Sequence, residues 1–539
     1  MKNRLFRPQK NLLSAAGILM LAVFLSRILG LLRDRFLAGA FFDAANSWQL
    51  DAYFAAFRLP DMIFQLLVVG ALSAAFIPVF SDYLIKQKNQ AWYLASSVIN
   101  LGLLLFLFLG ALVVIFAPQF SRLIAPNFPP HQLKLMTDLT RVLVVAQFSF
   151  LVSNFLTGIL QSHQYFLIPA LSPLAYNLGI IFGIIFLAPF LGIYGPALGV
   201  IIGSLLHLLV QVPLTFKLGF HYYPVLDFSH PGVRRIGRLM LPRALALAVN
   251  QIELTFAVFL ATSLPAGSLA IFYFAQHLNS LPVGLFGATI GQAVLPSLSQ
   301  NASRQTLVKF KTLLVDSVNQ VLYLSLPAGM MLLILRIPIV RLAFGTRNFP
   351  WEATLLTGKV VALFAVSVFA QSVVQVFVRG FYALSNTRLP LFLAILAVAA
   401  NISFSLLFVY YFKLGVLGLA AAISLASFIQ AAGLFYFLYL AVGGFTRREL
   451  LYPFIKMSLA TIITGVCLWI PLRVLDLYLL NTTKTFDLII LTLLVSFIGL
   501  AVFVVLSLVL KIKELDSFLT VIRKLVPFKT IIEPLPPQS

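Results

Sequence analysis

Arg27, Arg33 and Asp34 sit in or just beyond an apolar stretch that runs from Asn11 to Leu32. Asp51 and Arg58 enter the next such stretch, which continues to Phe80. A charge at the centre of a bilayer costs roughly 2.5–3.5 kcal/mol on insertion scales, so such residues usually face a wet interior and mark a substrate or ion pathway. Arginine carries a planar, bidentate fork that matches phosphate, which an ammonium group does not. Three arginines against few acids therefore favour an anionic, diphosphate-bearing ligand. On a helix of 3.6 residues per turn, Arg27 and Asp34 share a face, as do Asp51 and Arg58, while Arg33 is displaced by about a third of a turn. A competing account of the same spacing is two ion pairs that lock helices together, or arginines that snorkel to the interface.

Glu253 is a lone acid deep in the seventh apolar stretch. It fits three roles: a protonated and silent carboxyl, a structural hydrogen-bonder, or a cation or proton site. Asn401, in the eleventh stretch, is its nearest candidate partner by analogy of position. The eighth stretch aligns Gln276, Ser280, Gly284, Gly287 and Gly291 on one face, with His277 beside it. Small residues at that spacing serve either close helix packing or a cavity wall. The tenth places Gln371, Gln375 and Arg379 at four-residue steps.

Catalytic chemistry lacks its usual parts. The single cysteine, Cys467, allows neither a disulfide framework nor a cysteine metal site, and the six histidines show no HExxH spacing. No glycine-rich phosphate loop of the Walker type occurs either. No enzyme activity, metal site or cofactor is therefore expected. Any uphill work would draw on a coupling ion, Na⁺ or H⁺, or on the membrane potential.

The elements that position these residues are membrane helices. Hydrophobic residues make up 61% of the 539, only 10% are charged, and the mean hydropathy is +1.00. A soluble protein could not cover that much apolar surface. Windows of about 20 apolar residues fall at 11–34, 52–81, 91–117, 135–161, 166–188, 193–216, 236–262, 269–297, 310–336, 355–384, 389–412, 415–441, 450–472 and 486–510. The second, fourth, eighth and tenth are long and carry Pro or polar residues, which predicts tilted or kinked helices lining a cavity.

The net charge of +22 follows from basic cytoplasmic loops, so nucleic acid is not an expected partner. Lys86, Lys88, Arg234, Arg235, Arg304 and Arg447 are among the cytoplasmic cations, against Arg122, Lys134 and Arg347 on the other side. This asymmetry predicts two cytoplasmic ends. Met1–Lys10 leads into a run that ends in Arg-Asp-Arg, which reads as a retained first helix and not a cleaved leader.

An internal repeat orders the spans. Leu191-Gly-Ile-Tyr-Gly-Pro-Ala197 is echoed by Leu414-Gly-Val-Leu-Gly-Leu-Ala420, Gly158…Pro169…Asn177 by Gly380…Pro390…Asn401, and Pro78-Val-Phe-Ser81 by Pro296-Ser-Leu-Ser299. The expected fold is an all-α polytopic membrane protein of about fourteen transmembrane helices. Residues 1–217 form an N-terminal six-helix lobe, 218–441 its repeat, 442–511 two additional helices, and 512–539 a cytoplasmic basic tail. Parallel repeats of this kind flank a site that opens alternately to each side.

Ser26-Arg-Ile-Leu-Gly-Leu-Leu-Arg-Asp34, Asp51-Ala-Tyr-Phe-Ala-Ala-Phe-Arg-Leu-Pro60 and Gly70-Ala-Leu-Ser-Ala-Ala-Phe-Ile-Pro-Val-Phe80 resemble the MurJ (MviN) family of lipid II flippases, as do Leu281–Gly287 and Arg379–Ala383. The resemblance covers essentially the whole chain. It implies the multidrug/oligosaccharidyl-lipid/polysaccharide exporter fold in a multi-pass protein of the bacterial inner membrane. It further implies that undecaprenyl-diphosphate-linked peptidoglycan precursor crosses to the outer leaflet through a cationic cavity, and that the last two helices form a lipid-facing groove. By motif, Arg27, Arg33, Asp34, Asp51 and Arg58 are the implied substrate-binding residues. The implied partners are lipid II, membrane lipids and the cell-wall synthesis machinery, with the chain acting as a monomer.

The chain departs from the family pattern at Phe64, Gln65, Val69, Gln276 and His277. His277 stands where an arginine is usual, and a histidine is only partly charged near neutral pH. A charged His277 would restore the missing cation, so it joins the candidate site. The alternatives are a flippase for another polyprenyl-linked polysaccharide and a cation-coupled exporter of the same fold.

Overall fold

The computed structural model describes residues 12–516 apart from 44, 70–74, 304–306 and 447. Among the described residues the regular structure is helical throughout, the form in which a chain satisfies its backbone N–H and C=O groups without water. Twelve helices among the described residues are long and apolar enough to cross a membrane, from Asn89–Ile115 to Thr485–Val509. They coincide one for one with the third to fourteenth windows. The first window falls on the 30-residue helix Leu12–Phe41. The second becomes Ser47–Ala56, Arg58–Phe64, a π-helical turn at Gln65–Val69 and Ile77–Lys86, on either side of residues 70–74. The basic residues before Asn11, the Gly70–Ala74 part of the second-span motif, Arg304, Arg447 and the tail from 517 lie outside the described residues.

Only some of the expected interruptions occur. The eighth span is Ser268–Pro282, a π-helical turn at Val283–Ala288, then Thr289–Ser303. The fourth and tenth, Pro130–Ser162 and Trp351–Ala383, run unbroken for 33 residues each. At 1.5 Å per residue each is about 50 Å long. That exceeds a hydrocarbon core of about 30 Å, so length is absorbed by tilt or by protrusion.

The repeat recurs in the backbone. The π turns at Gln65 and Val283 each begin thirteen residues before a repeat proline, Pro78 and Pro296. Those at Gly183–Leu187 and Leu407–Tyr411 each begin six residues after a repeat asparagine, Asn177 and Asn401. The echoed Leu-Gly pairs share a conformation too, with Gly192 at φ +55° and Gly415 at φ +57°, which only glycine adopts without strain. Such conserved register in two halves is hard to reach by chance, and π turns often mark functional positions.

The chain falls into two compact units. One comprises Met1–His277, Ala343–Val360 and Val398–Ala422, and the other Leu278–Leu342, Val361–Ala397 and Ile423–Ser539. The first has an aromatic interior in which Phe274 stacks on Phe344 at 4.6 Å and Phe54 on Tyr273 at 5.0 Å. The core of the second runs through Phe310, Leu314, Phe377, Phe381, Leu438 and Phe503. Glycine allows close backbone approach in each: a Cβ on Gly179 would collide with Gly203 Cα, and one on Gly287 would lie 2.6 Å from Ser372 Cα. Gly287 in the eighth span therefore serves helix packing, while Gln276 and His277, about three turns earlier, line a cavity.

Candidate functional site

The site is built around Asp34, which is 1% exposed near the end of the first helix. Arg33 donates to its Oδ1 from Nε at 2.9 Å and from Nη2 at 2.7 Å. His277 Nδ1 donates to its Oδ2 at 2.6 Å. A buried carboxylate is stable only when paired and hydrogen-bonded, and here both oxygens are engaged by groups that carry or can carry positive charge. Arg33 Nη1 donates to Asn177 Oδ1 at 3.2 Å, and Asn177 is itself anchored by donating to the Pro173 carbonyl at 3.1 Å. Three of the five guanidinium N–H groups are thus spent on orientation. The other two remain for a ligand.

A cavity of about 370 Å³ opens beside this cluster, lined among others by Arg33, Arg58, Asp61, Tyr176, Tyr273 and His277. Its volume lies at the small end of ligand pockets, roughly 300–1,000 Å³. Arg58 is 6% exposed, and its Nε has no hydrogen-bond partner among the described residues. A desolvated cation with an idle donor is costly, and an anion entering the cavity would remove that cost. Asp61 accepts from Gln147 Nε2 at 3.2 Å and tempers the positive charge, so the cavity is less uniformly cationic than the arginines alone suggest.

The expected substrate-binding residues separate into three groups. Arg33, Asp34, Arg58 and His277 come together around this cavity. Arg27 lies two turns earlier on the first helix, is exposed and does not line it. Asp51 is elsewhere and does not pair with Arg58. Its Oδ2 accepts from Gly267 N at 2.7 Å and its Oδ1 from Ala270 N at 2.9 Å. The start of a helix leaves backbone N–H groups without partners, and the helix Ser268–Pro282 presents them directly to this carboxylate. Local backbone demand outweighs the seven-residue spacing that suggested the ion pair.

Glu253 and Asn401 meet: Asn401 Nδ2 donates to Glu253 Oε1 at 2.7 Å, and Ser405 Oγ donates to Asn401 Oδ1 at 3.2 Å. Among the described residues Glu253 has no ion-pair partner, and no cluster of three or more His, Cys, Asp or Glu capable of holding a metal occurs. Asp61, Tyr176 and Tyr273 escaped sequence reasoning. The available signal for Asp61 was an acid three residues after Arg58, on the same helix face.

Comparison with known proteins places this geometry. Residues 37–486 match the model of a family described as lipid II flippase MurJ. A probable lipid II flippase MurJ of Bdellovibrio bacteriovorus is 30% identical over 511 residues, covering 92% of this chain and 95% of that protein. The solved structure of a lipid II flippase MurJ in an inward closed conformation superposes with a TM-score of 0.75 at 26% identity, over 91% of this chain and 97% of its own. A multidrug resistance MATE transporter of the MOP superfamily, inward-facing, shares the fold alone, with a TM-score of 0.65 at 17% identity over 78% of this chain and 94% of its own. The chain belongs to the lipid II flippase MurJ family and is a multi-pass membrane protein.

Proposed function

We propose that this chain carries lipid II, the undecaprenyl-diphosphate-linked peptidoglycan precursor, from the cytoplasmic to the outer leaflet of the bacterial inner membrane. The observation that carries this reading is Arg58, buried in the same cavity as Arg33 with its Nε unpartnered. Two guanidinium forks facing one small cavity suit a diphosphate better than any neutral or cationic cargo. Arg33 and Arg58 engage the diphosphate, Asp34 holds Arg33 and His277 in place, and Arg27 meets the substrate on its path along the first span.

Residues 1–217 and 218–441 act as the two lobes whose alternate opening moves the cavity between leaflets, with both chain ends cytoplasmic. The last two spans guide the lipid tail. Glu253 and Asn401 bind the coupling proton or cation, with the membrane potential contributing. The chain works as a monomer beside the cell-wall synthesis machinery, and no covalent step is involved.

The test is rescue of a bacterium depleted of its own lipid II flippase. Growth and normal cell shape are expected on expression of this chain. Lysis despite normal membrane levels of the protein would point to a different lipid-linked cargo.

A further inference from the structure

The second compact unit contains a cavity of about 820 Å³ that plays no part in the flippase reading. It is lined by two membrane helices, the segment before one of them and the segment after a third. Asp316 and Asn319 come from Leu307–Ile334, Arg448, Glu449 and Lys456 from around the start of Leu451–Val474, and Lys511, Lys513 and Glu514 from just past Val509. Lys511 has φ +52°, a left-handed turn that ends the last span and folds residues 512–514 back over the cavity. Lys456 Nζ donates to the Leu510 carbonyl at 2.8 Å and pins that turn.

The lining is chemically unusual. Four cations and three acids share the space, yet none of them forms an ion pair among the described residues. Asn319 is 4% exposed; its Nδ2 donates to the Glu449 carbonyl at 3.0 Å, and its Oδ1, buried on the cavity wall, has no partner among the described residues. A buried acceptor without a donor is unfavourable because it has lost its water partner, so the site is shaped for something that brings an N–H or O–H. A simple anion would meet the three acids, and a simple cation would meet the lysines and Arg448. Only a ligand with both charges satisfies the lining.

Burial pushes the Glu514 carboxyl above the ordinary carboxylate range, and the neighbouring Asp316 charge adds to the effect. Positive charge is therefore welcome at that end. Beside the cavity the surface turns apolar, with Ile455 54%, Leu508 59% and Val509 69% exposed, as befits residues that face lipid tails.

We propose that this cavity binds the aminophosphate headgroup of a membrane phospholipid, its phosphate held by Arg448, Lys511 and Lys513 and its primary ammonium by Asp316, Glu514 and Asn319 Oδ1. The acyl chains lie along the apolar flank. A bound lipid there would join the ninth span to the last two and set their spacing.

Native mass spectrometry on the delipidated full chain tests this. Phosphatidylethanolamine and phosphatidylcholine with the same acyl chains are offered at equal concentration, and soluble glycerophosphoethanolamine is added as competitor. Phosphatidylethanolamine should be retained about tenfold better, because a trimethylated ammonium has no N–H for Asn319 Oδ1 or the acids. An Arg448→Gln/Lys513→Gln variant, altered only at exposed positions, should unfold at the same temperature and lose that tenfold preference. Equal retention of the two lipids by the unaltered chain would overturn the proposal, as would an unchanged preference in the variant. Displacement of the lipid by glycerophosphoethanolamine at equal concentration would also overturn it, in favour of a soluble occupant.

Discussion

Asn177 and Asn401 hold the same place in the two repeats, six residues before a π-helical turn, and they do opposite work. Asn177 turns its oxygen toward a cation, accepting from Arg33 at 3.2 Å. Asn401 turns its amide nitrogen toward an anion, donating to Glu253 at 2.7 Å. A carboxamide can do either, having two donors and an acceptor on one planar group. The repeat thus kept the position and the residue while the neighbouring charge changed sign. Around Asn177 the acid Asp34 is compensated by Arg33 and His277, and the guanidinium groups of Arg33 and Arg58 face a cavity. Around Asn401 an acid stands, among the described residues, with a neutral partner and no ion pair. The first arrangement suits a bulky anion, and the second a proton or small cation.

The sharpest way to break this comparison is at Arg58, the buried cation beside the Asn177 cluster. Removing one charge-assisted contact costs about 1.5–3 kcal/mol, so Arg58→Ala should slow lipid II flipping in proteoliposomes by roughly 10- to 100-fold. Arg58→Lys should recover little of the loss if bidentate geometry matters. A rate near normal in Arg58→Ala would leave the cavity without its main anion-binding group.

On the other side, Glu253→Gln keeps the shape and the hydrogen-bonding capacity while deleting the charge. Transport should fall several-fold with the folded yield unchanged, and its dependence on an imposed ion or proton gradient should disappear. Normal, gradient-dependent transport by this variant would make Glu253 a structural residue and dissolve the functional contrast between the two asparagines.

His277 tests which charge the first cluster needs. His277→Arg should transport within about twofold of the unaltered protein, since a guanidinium can still donate to Asp34, whereas His277→Ala should lose about tenfold. Equal activity of the two variants would mean that the charge at this position is irrelevant. The smallest effect on transport is expected at Asp51, which caps backbone and does not line the same cavity. Asp51→Ala should lower thermal stability by an amount typical of a lost cap, about 0.5–2 kcal/mol, with the flipping rate preserved. A large transport defect there would return Asp51 to the substrate path.

These residues also mark what a sequence can and cannot disclose. The long spans were legible because twenty apolar residues in a row have few other fates. The repeat was legible because short motifs recur in the same order, and it singled out Asn401 as a neighbour for Glu253. Periodicity placed Arg27 and Asp34 on one face, but it could not foresee that the adjacent Arg33 would fold its flexible stem back onto Asp34. The backbone N–H groups that Asp51 serves belong to a helix more than two hundred residues away, and no local pattern announces them. Tyr176 and Tyr273 share a wall with Arg58 only because helices distant in sequence converge, which is a property of the tertiary fold and not of any motif.

The central claim is that two guanidinium groups, Arg33 and Arg58, form the anion-binding wall of the transport cavity. A purified Arg33→Ala/Arg58→Ala double variant, with a thermal unfolding profile matching that of the unaltered chain, measures it directly when reconstituted with fluorescent lipid II. The account predicts no flipping above the protein-free background. Flipping at the normal rate by that folded variant would contradict it.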